Sequence, residues 1–265
     1  MQLTDQIGNT FSFAETPKRI VSLVPSQTEL LISLGLEDSI VGLTKFCIHP
    51  IGFKNTKTMV GGTKAVNFDK IAALKPDLII CNKEENTQQI VEDLSAICPV
   101  WTTDIYTIED NNQMILDFGK IFSKEDSASK MVSEINSAMQ GFHAFASTQK
   151  LHKVAYFIWK NPYMVAANST YINEILKLNN FQNAFENLER YPEVQIENIK
   201  ENEVDYILLS SEPYPFKESD FDDFVKLNEK VKITMVDGEM FSWYGSRLIL
   251  AFEYFKKLRN DLNSL

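Results

Sequence analysis

Cysteine is scarce in this chain of 265 residues, which has only Cys47, Cys81 and Cys98. An odd number without C-x-x-C spacing excludes a disulfide framework and a zinc-finger ligand set. No apolar run approaches about 18 residues, so no transmembrane helix is expected. Basic charge is also short: 26 Lys and Arg stand against 36 Asp and Glu, a net charge of -10. That balance repels a phosphate backbone, and no nucleic-acid partner is expected. There is no GxGxxG, no phosphate-binding P-loop, no GxSxG and no HExxH. No catalytic residue set emerges, and the chain reads as a non-enzyme. Residues 1–11 carry neither the basic stretch nor the apolar core of a secretory leader, so the sequence either starts at a mature domain or belongs to an unexported protein.

What the chain does have is apolar residues in periodic order. Hydrophobic residues make up 44% of it, ample for two lobes of ordinary size or one large domain. Leu3, Ile7, Phe11 and Phe13 around Gly8-Asn9 predict a β-hairpin within residues 1–16. Residues 19–24 predict a buried strand ending at Pro25. Ser26-Gln27-Thr28-Glu29 reads as a capping box opening a helix over 28–34, which Gly35 stops at its C′ position. Strands follow at 40–43, 77–81 and 100–102, with helices at 68–74, 86–94 and 108–122. The alternation returns with strands at 153–159, 205–210 and 232–236 and helices at 171–178, 196–200 and 246–258. This spacing predicts an α/β fold of parallel sheets flanked by helices.

Between the two sets lies one long amphipathic stretch, residues 123–149. Ala128, Met131, Val132, Ile135, Ala138, Met139, Phe142, Phe145 and Ala146 form a single stripe at helical spacing. Ser123 is the expected N-cap, and Glu125 and Asp126 suit the dipole of the first turn. About 25 residues in one helix span roughly 37 Å. An internal repeat flanks it. Val66-Asn67-Phe68-Asp69-Lys70-Ile71 aligns with Val194-Gln195-Ile196-Glu197-Asn198-Ile199, and Asp77-Leu78-Ile79-Ile80 aligns without a gap with Asp205-Tyr206-Ile207-Leu208. Glu84 then falls on Glu212. The chain is expected to divide into an N-terminal α/β lobe over 1–122, a linking helix over 123–149 and a C-terminal α/β lobe over 150–265.

In parallel sheets the loops after the strand C-termini carry ligands. Those loops here hold Cys47 and His49, Glu84 and Glu85, Trp159 and Tyr163, Tyr191, and the segment 237–247 with Trp243, Tyr244 and Arg247. Aromatic side chains in a glycine-containing loop are either core or a ligand wall. Phe241 reads as core, and Trp243 and Tyr244 as wall, each ring keeping one wet end. Cys47 and His49 stand two apart, on one face of an extended loop. They suit a transition metal, or a metal held in a ligand; otherwise they are a packed thiol beside a turn-forming His-Pro. Glu84 and Glu85 either bind a cation or cap the helix that follows.

The stretches RIVSLVPSQTELLISLGL at 19–36, VGL at 41–43 and VGGTKAVNFDKIAALKPDLII at 60–80 resemble the helical-backbone class of ABC-transporter substrate-binding proteins. This class holds the periplasmic cobalamin-, haem- and iron-siderophore-binding proteins, and its cobalamin binders resemble the chain most. The resemblance runs from Arg19 to Leu258, and ALKPDLII is its most specific part. It implies two α/β lobes, each with a parallel-type sheet, joined by one long backbone helix, with a ligand cleft between the lobes. It further implies a periplasmic monomer with no cofactor of its own. Such a protein passes a cobalt- or iron-containing small molecule (a corrinoid, haem or iron chelate) to an ABC permease dimer and meets the membrane only through it.

The resemblance places Asp69 and Glu197, the repeat-related acids, where the family docks onto basic residues of the permease. It places Trp243, Tyr244 and Arg247 where the family contacts ligand. Arg247 is expected to pair with a ligand carboxylate or phosphate, and Tyr191 and Trp159 to stack on it. The cobalamin binders carry tryptophan where Thr63, Asn82 and Tyr191 stand here. A ligand with a metal or polar groups to satisfy is therefore expected, with His49 or Cys47 as axial ligand to an open metal. The missing leader supports a second expectation: a cytoplasmic metal- or tetrapyrrole-handling protein, enzymatic or not, on the same scaffold.

Overall fold

The computed structural model describes residues 2–197, 199, 203–226 and 231–264. The chain forms two compact units, Met1–Ile135 with Tyr244–Arg247 and Asn136–Trp243 with Leu248–Leu265. Instead of bounding a separate linker at 123–149, the units divide inside the long helix, and residues 244–247 return to the first unit. Among the described residues no helix is long and apolar enough to cross a membrane.

The first unit opens with a hairpin of β1 (Gln2–Thr4) and β2 (Thr10–Ser12). Asp5 holds its turn by accepting from the Ile7 and Asn9 N–H groups, and ties it to the sheet by accepting from Thr102 N–H. Strands β3 (Ile20–Ser22), β4 (Ile40–Leu43), β5 (Thr58–Met59), β6 (Leu78–Asn82) and β7 (Val100–Thr103) form one parallel sheet in the order β5-β4-β3-β6-β7. Val21, Leu23, Val60, Ile71, Ile79, Cys81 and Leu94 pack into one core cluster. Helices α1 (Pro25–Ser33), α2 (Phe68–Ala73), α3 (Gln88–Ser95) and α4 (Ile108–Ile121) connect the strands or follow them.

Helix α1 corrects the expected capping box. Pro25 occupies the first turn, where its missing N–H costs nothing, so the helix begins there rather than at Thr28. Val24 precedes it with no side-chain cap, and the Thr28 hydroxyl instead donates back to the Val24 carbonyl and Ser22. The C-terminal expectation holds: Gly35 has φ 74 and donates to Ile32 O, while Leu36 N–H reaches Leu31 O. That is the Schellman arrangement.

Helix α5 (Glu125–Ala146) runs for 22 residues, about 33 Å at 1.5 Å per residue. Ala128, Met131, Ile135, Phe142 and Ala146 of the expected stripe are buried. Ser123 is not its N-cap. It sits at φ 55, its N–H points to Lys120 O, and Lys124 N–H reaches Gly119 O. These bonds close α4 as a Schellman motif, so the end of one helix takes the residue expected to start the next.

In the second unit β8 (His152–Trp159), β10 (Phe181–Asn183), β11 (Tyr206–Ser210) and β12 (Lys232–Val236) form a parallel sheet in the order β10-β8-β11-β12. Strand β9 (Met164–Val165) adds antiparallel to β8. Helix α6 (Tyr171–Leu178) leads into β10, and the short α7 (Phe221–Val225) precedes β12. The segment 237–247, expected as loop, contains α8 (Gly238–Ser242), capped by Asp237, and a 3-10 turn at Gly245–Arg247. Helix α9 (Leu248–Ser264) ends the chain, and its Phe252 and Phe255 pack on Phe142. The helix expected over 196–200 lies partly outside the described residues, at Asn198 and Lys200.

The repeat is visible in hydrogen bonding. Asp77 donates its N–H to Arg19 O and accepts from the Lys18 and Arg19 N–H groups. Asp205 donates to Lys153 O and accepts from Lys153 N–H. Each aspartate latches the start of one sheet's second inner strand to the start of the strand beside it.

Candidate functional site

In the first unit the C-terminal ends of β3, β6 and β7 meet in a buried polar cluster. Gln27, in the first turn of α1, donates from Nε2 to Thr103 Oγ1 (2.5 Å) and to the Tyr244 hydroxyl (3.1 Å). Asn82, the last residue of β6, donates to Thr103 Oγ1 (3.1 Å). Its Oδ1 accepts from the N–H groups of Glu84 (2.8 Å) and Glu85 (3.3 Å), which fixes the loop after β6 as an Asx-type turn. Burial pushes the Glu85 carboxyl above the usual carboxylate range, against the pull of the Lys64 ammonium. The Tyr244 hydroxyl is also pushed up, by burial first and then by the Glu85 charge. At the rim Lys83 pairs with Asp104 (2.6 Å) and lies over the Tyr106 ring. The cluster is built of amides and hydroxyls that bond to one another inside the first unit.

This unit also holds four expected site residues, Cys47, His49, Arg247 and Tyr244. Cys47 is fully buried, its sulfur 3.1 Å from Thr28 Oγ1 and 3.3 Å from Thr44 Oγ1. Burial pushes its thiol pKa up, which keeps it protonated and a poor metal ligand near neutrality. His49 is half-buried on the loop beyond. Among the described residues no group of three or more His, Cys, Asp or Glu side chains is placed to hold a metal ion. Arg247 forks onto Glu29, with Nε 2.8 Å from Oε2 and a terminal nitrogen 2.9 Å from Oε1, and is only 5% exposed. Its guanidinium thus has a carboxylate inside its own unit, where a ligand acid was expected. Tyr244 is buried rather than half-wet, because Gln27 already satisfies its hydroxyl.

In the second unit β8 delivers Trp159 to the strand end. It is 39% exposed and stands edge-on to Tyr214, with ring centroids 5.8 Å apart. Trp243 is buried, and its indole N–H donates to Glu212 Oε1 (2.9 Å), which also accepts from the Ser242 hydroxyl (2.9 Å). A Cβ at Gly238 would meet Glu212 Cγ and Ser210 Oγ at 2.5 Å, so only glycine lets Glu212 lie there. Trp243 is therefore a latch in the second unit, where a ligand wall was expected.

Tyr163 also turns inward, packing on Phe157 and Phe224 and donating to Asp223 Oδ2 (2.9 Å). Burial and then that bond push its hydroxyl up to about 12. Lys160 lies 2.7 Å from both Asp220 and Asp223. Its bond holds Asp223 below the usual carboxylate range; at Asp220 burial works upward, and the Lys160 bond and charge together with the Lys217 N–H bring the carboxyl below that range. Tyr191 is half-buried under the Arg190 guanidinium, 5.8 Å from the ring centroid. Asp69, in the first turn of α2, and Glu197 are both exposed.

Gln27, Lys160 and Tyr214 stand in strand-end loops that the sequence puts among those able to carry chemistry, but it assigns none of them a role. The repeat flagged only Glu212, by setting it opposite Glu84; Tyr214 two residues on carried the same hint.

The profile of the periplasmic binding protein family matches residues 20–234. The vitamin B12-binding protein of Pectobacterium carotovorum subsp. carotovorum is 23% identical over 239 residues, covering 89% of this chain and 86% of the relative. An uncharacterized ABC transporter substrate-binding lipoprotein of Bacillus subtilis is 26% identical over 190 residues, covering 69% of this chain and 60% of the relative. Among solved structures, the periplasmic haem-binding protein of Roseiflexus sp. RS-1, in its apo form, superposes with a TM-score of 0.81 at 16% identity, over 92% of this chain and 98% of that one.

Proposed function

The chain belongs to the periplasmic binding protein family, and we propose that within it the protein is the substrate-binding component of an ABC uptake transporter. Its ligand is a metal-centred small molecule of the corrinoid, haem or iron-chelate kind. The observation that carries this reading is the exposed Trp159 beside Tyr214 at a strand C-terminus, in a fold whose relatives include vitamin B12- and haem-binding proteins. A flat conjugated macrocycle stacks on such rings and gains both buried area and aromatic contact. Tyr191, on the same unit, adds a third ring.

Cys47, engaged by Thr28 and Thr44, does not ligate the metal, which leaves His49 as the axial ligand of an open metal. The protein acts outside the cytoplasm, and exposed Asp69 and Glu197 meet basic residues of a permease dimer. Titrating the purified protein with cyanocobalamin, haemin and a ferric siderophore, followed in the visible range, tests this. A saturable spectral change with one of them, kept in Cys47→Ala, is the expected result. No change with any of the three and none retained on dialysis contradicts it.

A further inference from the structure

We propose that the loop between β4 and β5 seats the protein on an anionic phospholipid surface. Within a chain of net charge -10, residues 39–68 contain no Asp or Glu and hold Lys45, Lys54, Lys57 and Lys64. Of the ten exposed large hydrophobic side chains among the described residues, three fall on this loop, Phe46, Ile48 and Ile51, and a fourth, Met59, lies in β5 where the loop ends. That clustering sets them apart from the single exposed apolar residues found on any surface.

The loop is built. Gly52 turns it at φ 87, Phe53 N–H closes onto Pro50 O, and Phe53–Thr56 form a 3-10 turn. The Lys54 ammonium donates to Lys45 O, stapling the two ends together. Lys45 lies over Phe46 and Lys57 over Phe53. Among the described residues no carboxylate pairs with Lys45, Lys54 or Lys57, so their charge is available outward. Ile51 is 94% exposed at the turn. A residue so bare stands on a convex tip, whereas small-molecule sites are concave. A convex apolar tip ringed by lysines matches the boundary between headgroups and acyl chains of an anionic leaflet. A protein partner would have to bring both a pocket for Ile51 and acids for the lysines, and nothing in the loop selects for that pocket. The inference stands whether or not a chelate is the ligand.

Vesicle sedimentation with the full chain tests it, comparing pure phosphatidylcholine vesicles with vesicles holding about a third phosphatidylglycerol. Sedimentation with the phosphatidylglycerol vesicles at low salt, falling as salt rises, is expected. Each Lys→Gln change at 45, 54 or 57 should weaken it about fivefold. Ile51→Asp should abolish it, while Leu250→Asp, an exposed apolar residue elsewhere, leaves it intact. Absence of sedimentation with the phosphatidylglycerol vesicles at low salt overturns the proposal, whatever protein the loop binds. Equal sedimentation of wild type, Ile51→Asp and the triple Lys→Gln variant also overturns it.

Discussion

A guanidinium serves a ligand best when no other group holds it, and Arg247 is held by Glu29 through both ends of its fork. Both partners are largely buried, so breaking the pair leaves a charge without solvent or counter-ion. Glu29→Gln should destabilise the protein by about 3 kcal/mol in urea unfolding, with little change in ligand affinity. A large affinity loss with unchanged stability would return Arg247 to the ligand. The identity of a residue does not disclose this choice. Cys47, Trp243 and Tyr163 all lie in loops that read as ligand walls. Each turns inward because a particular partner waits there: Thr28 for the thiol, Glu212 for the indole, Asp223 for the phenol. Those partners are far apart in sequence from the residues they claim, or sit in segments with no pattern of their own. Trp159 remains exposed.

At the scale of elements, α5 offers two tests. Gly141 is exposed within the helix and a Cβ there would meet nothing within 4 Å. Gly141→Ala should stabilise by about 0.5–1 kcal/mol through helix propensity and a less free unfolded chain. Ser123→Gly should be neutral or stabilising, because φ 55 suits glycine, whereas a true N-cap would lose about 1 kcal/mol on losing its side chain. Thermal melts of the two variants decide both. Elements with a clear apolar pattern were legible: β4, α6 and β12 lie where their patterns put them, and of the α5 stripe Ala128, Met131, Ile135, Phe142 and Ala146 are buried while Val132, Ala138, Met139 and Phe145 are half-buried. Elements too short to show a period were not, among them β5, β9, β10 and α8. The start of α1 was misread because a capping-box pattern and a proline at the first turn compete, and proline's fixed geometry wins.

At the scale of the whole molecule, duplication explains why two sheets share one strand logic, with Asp77 and Asp205 as matching latches. Beside the second latch lies a pH-sensitive point. His152 is buried on β8, Nδ1 3.7 Å from Asp205, its ring edge-on to Tyr206. Burial, then the Arg259 cation, lower its pKa; Lys150 acts the same way and Asp205 opposes them. A histidine kept neutral in the native state leaves the unfolded chain to take up the proton first. Its contribution is therefore complete above the ordinary histidine pKa of about 6.5 and declines as pH falls below it. Melts at neutral pH and about one unit below that pKa should show a loss in wild type that His152→Gln reduces; an equal loss in both would place the acid sensitivity elsewhere.

Chelate binding through the exposed aromatic pair is tested most directly by equilibrium dialysis of haemin, cyanocobalamin and a ferric siderophore against wild type and Trp159→Ala. Wild type should retain one of the three at micromolar concentration, and Trp159→Ala should retain the same one about tenfold more weakly. Equal retention by both proteins, or retention of none, would contradict it.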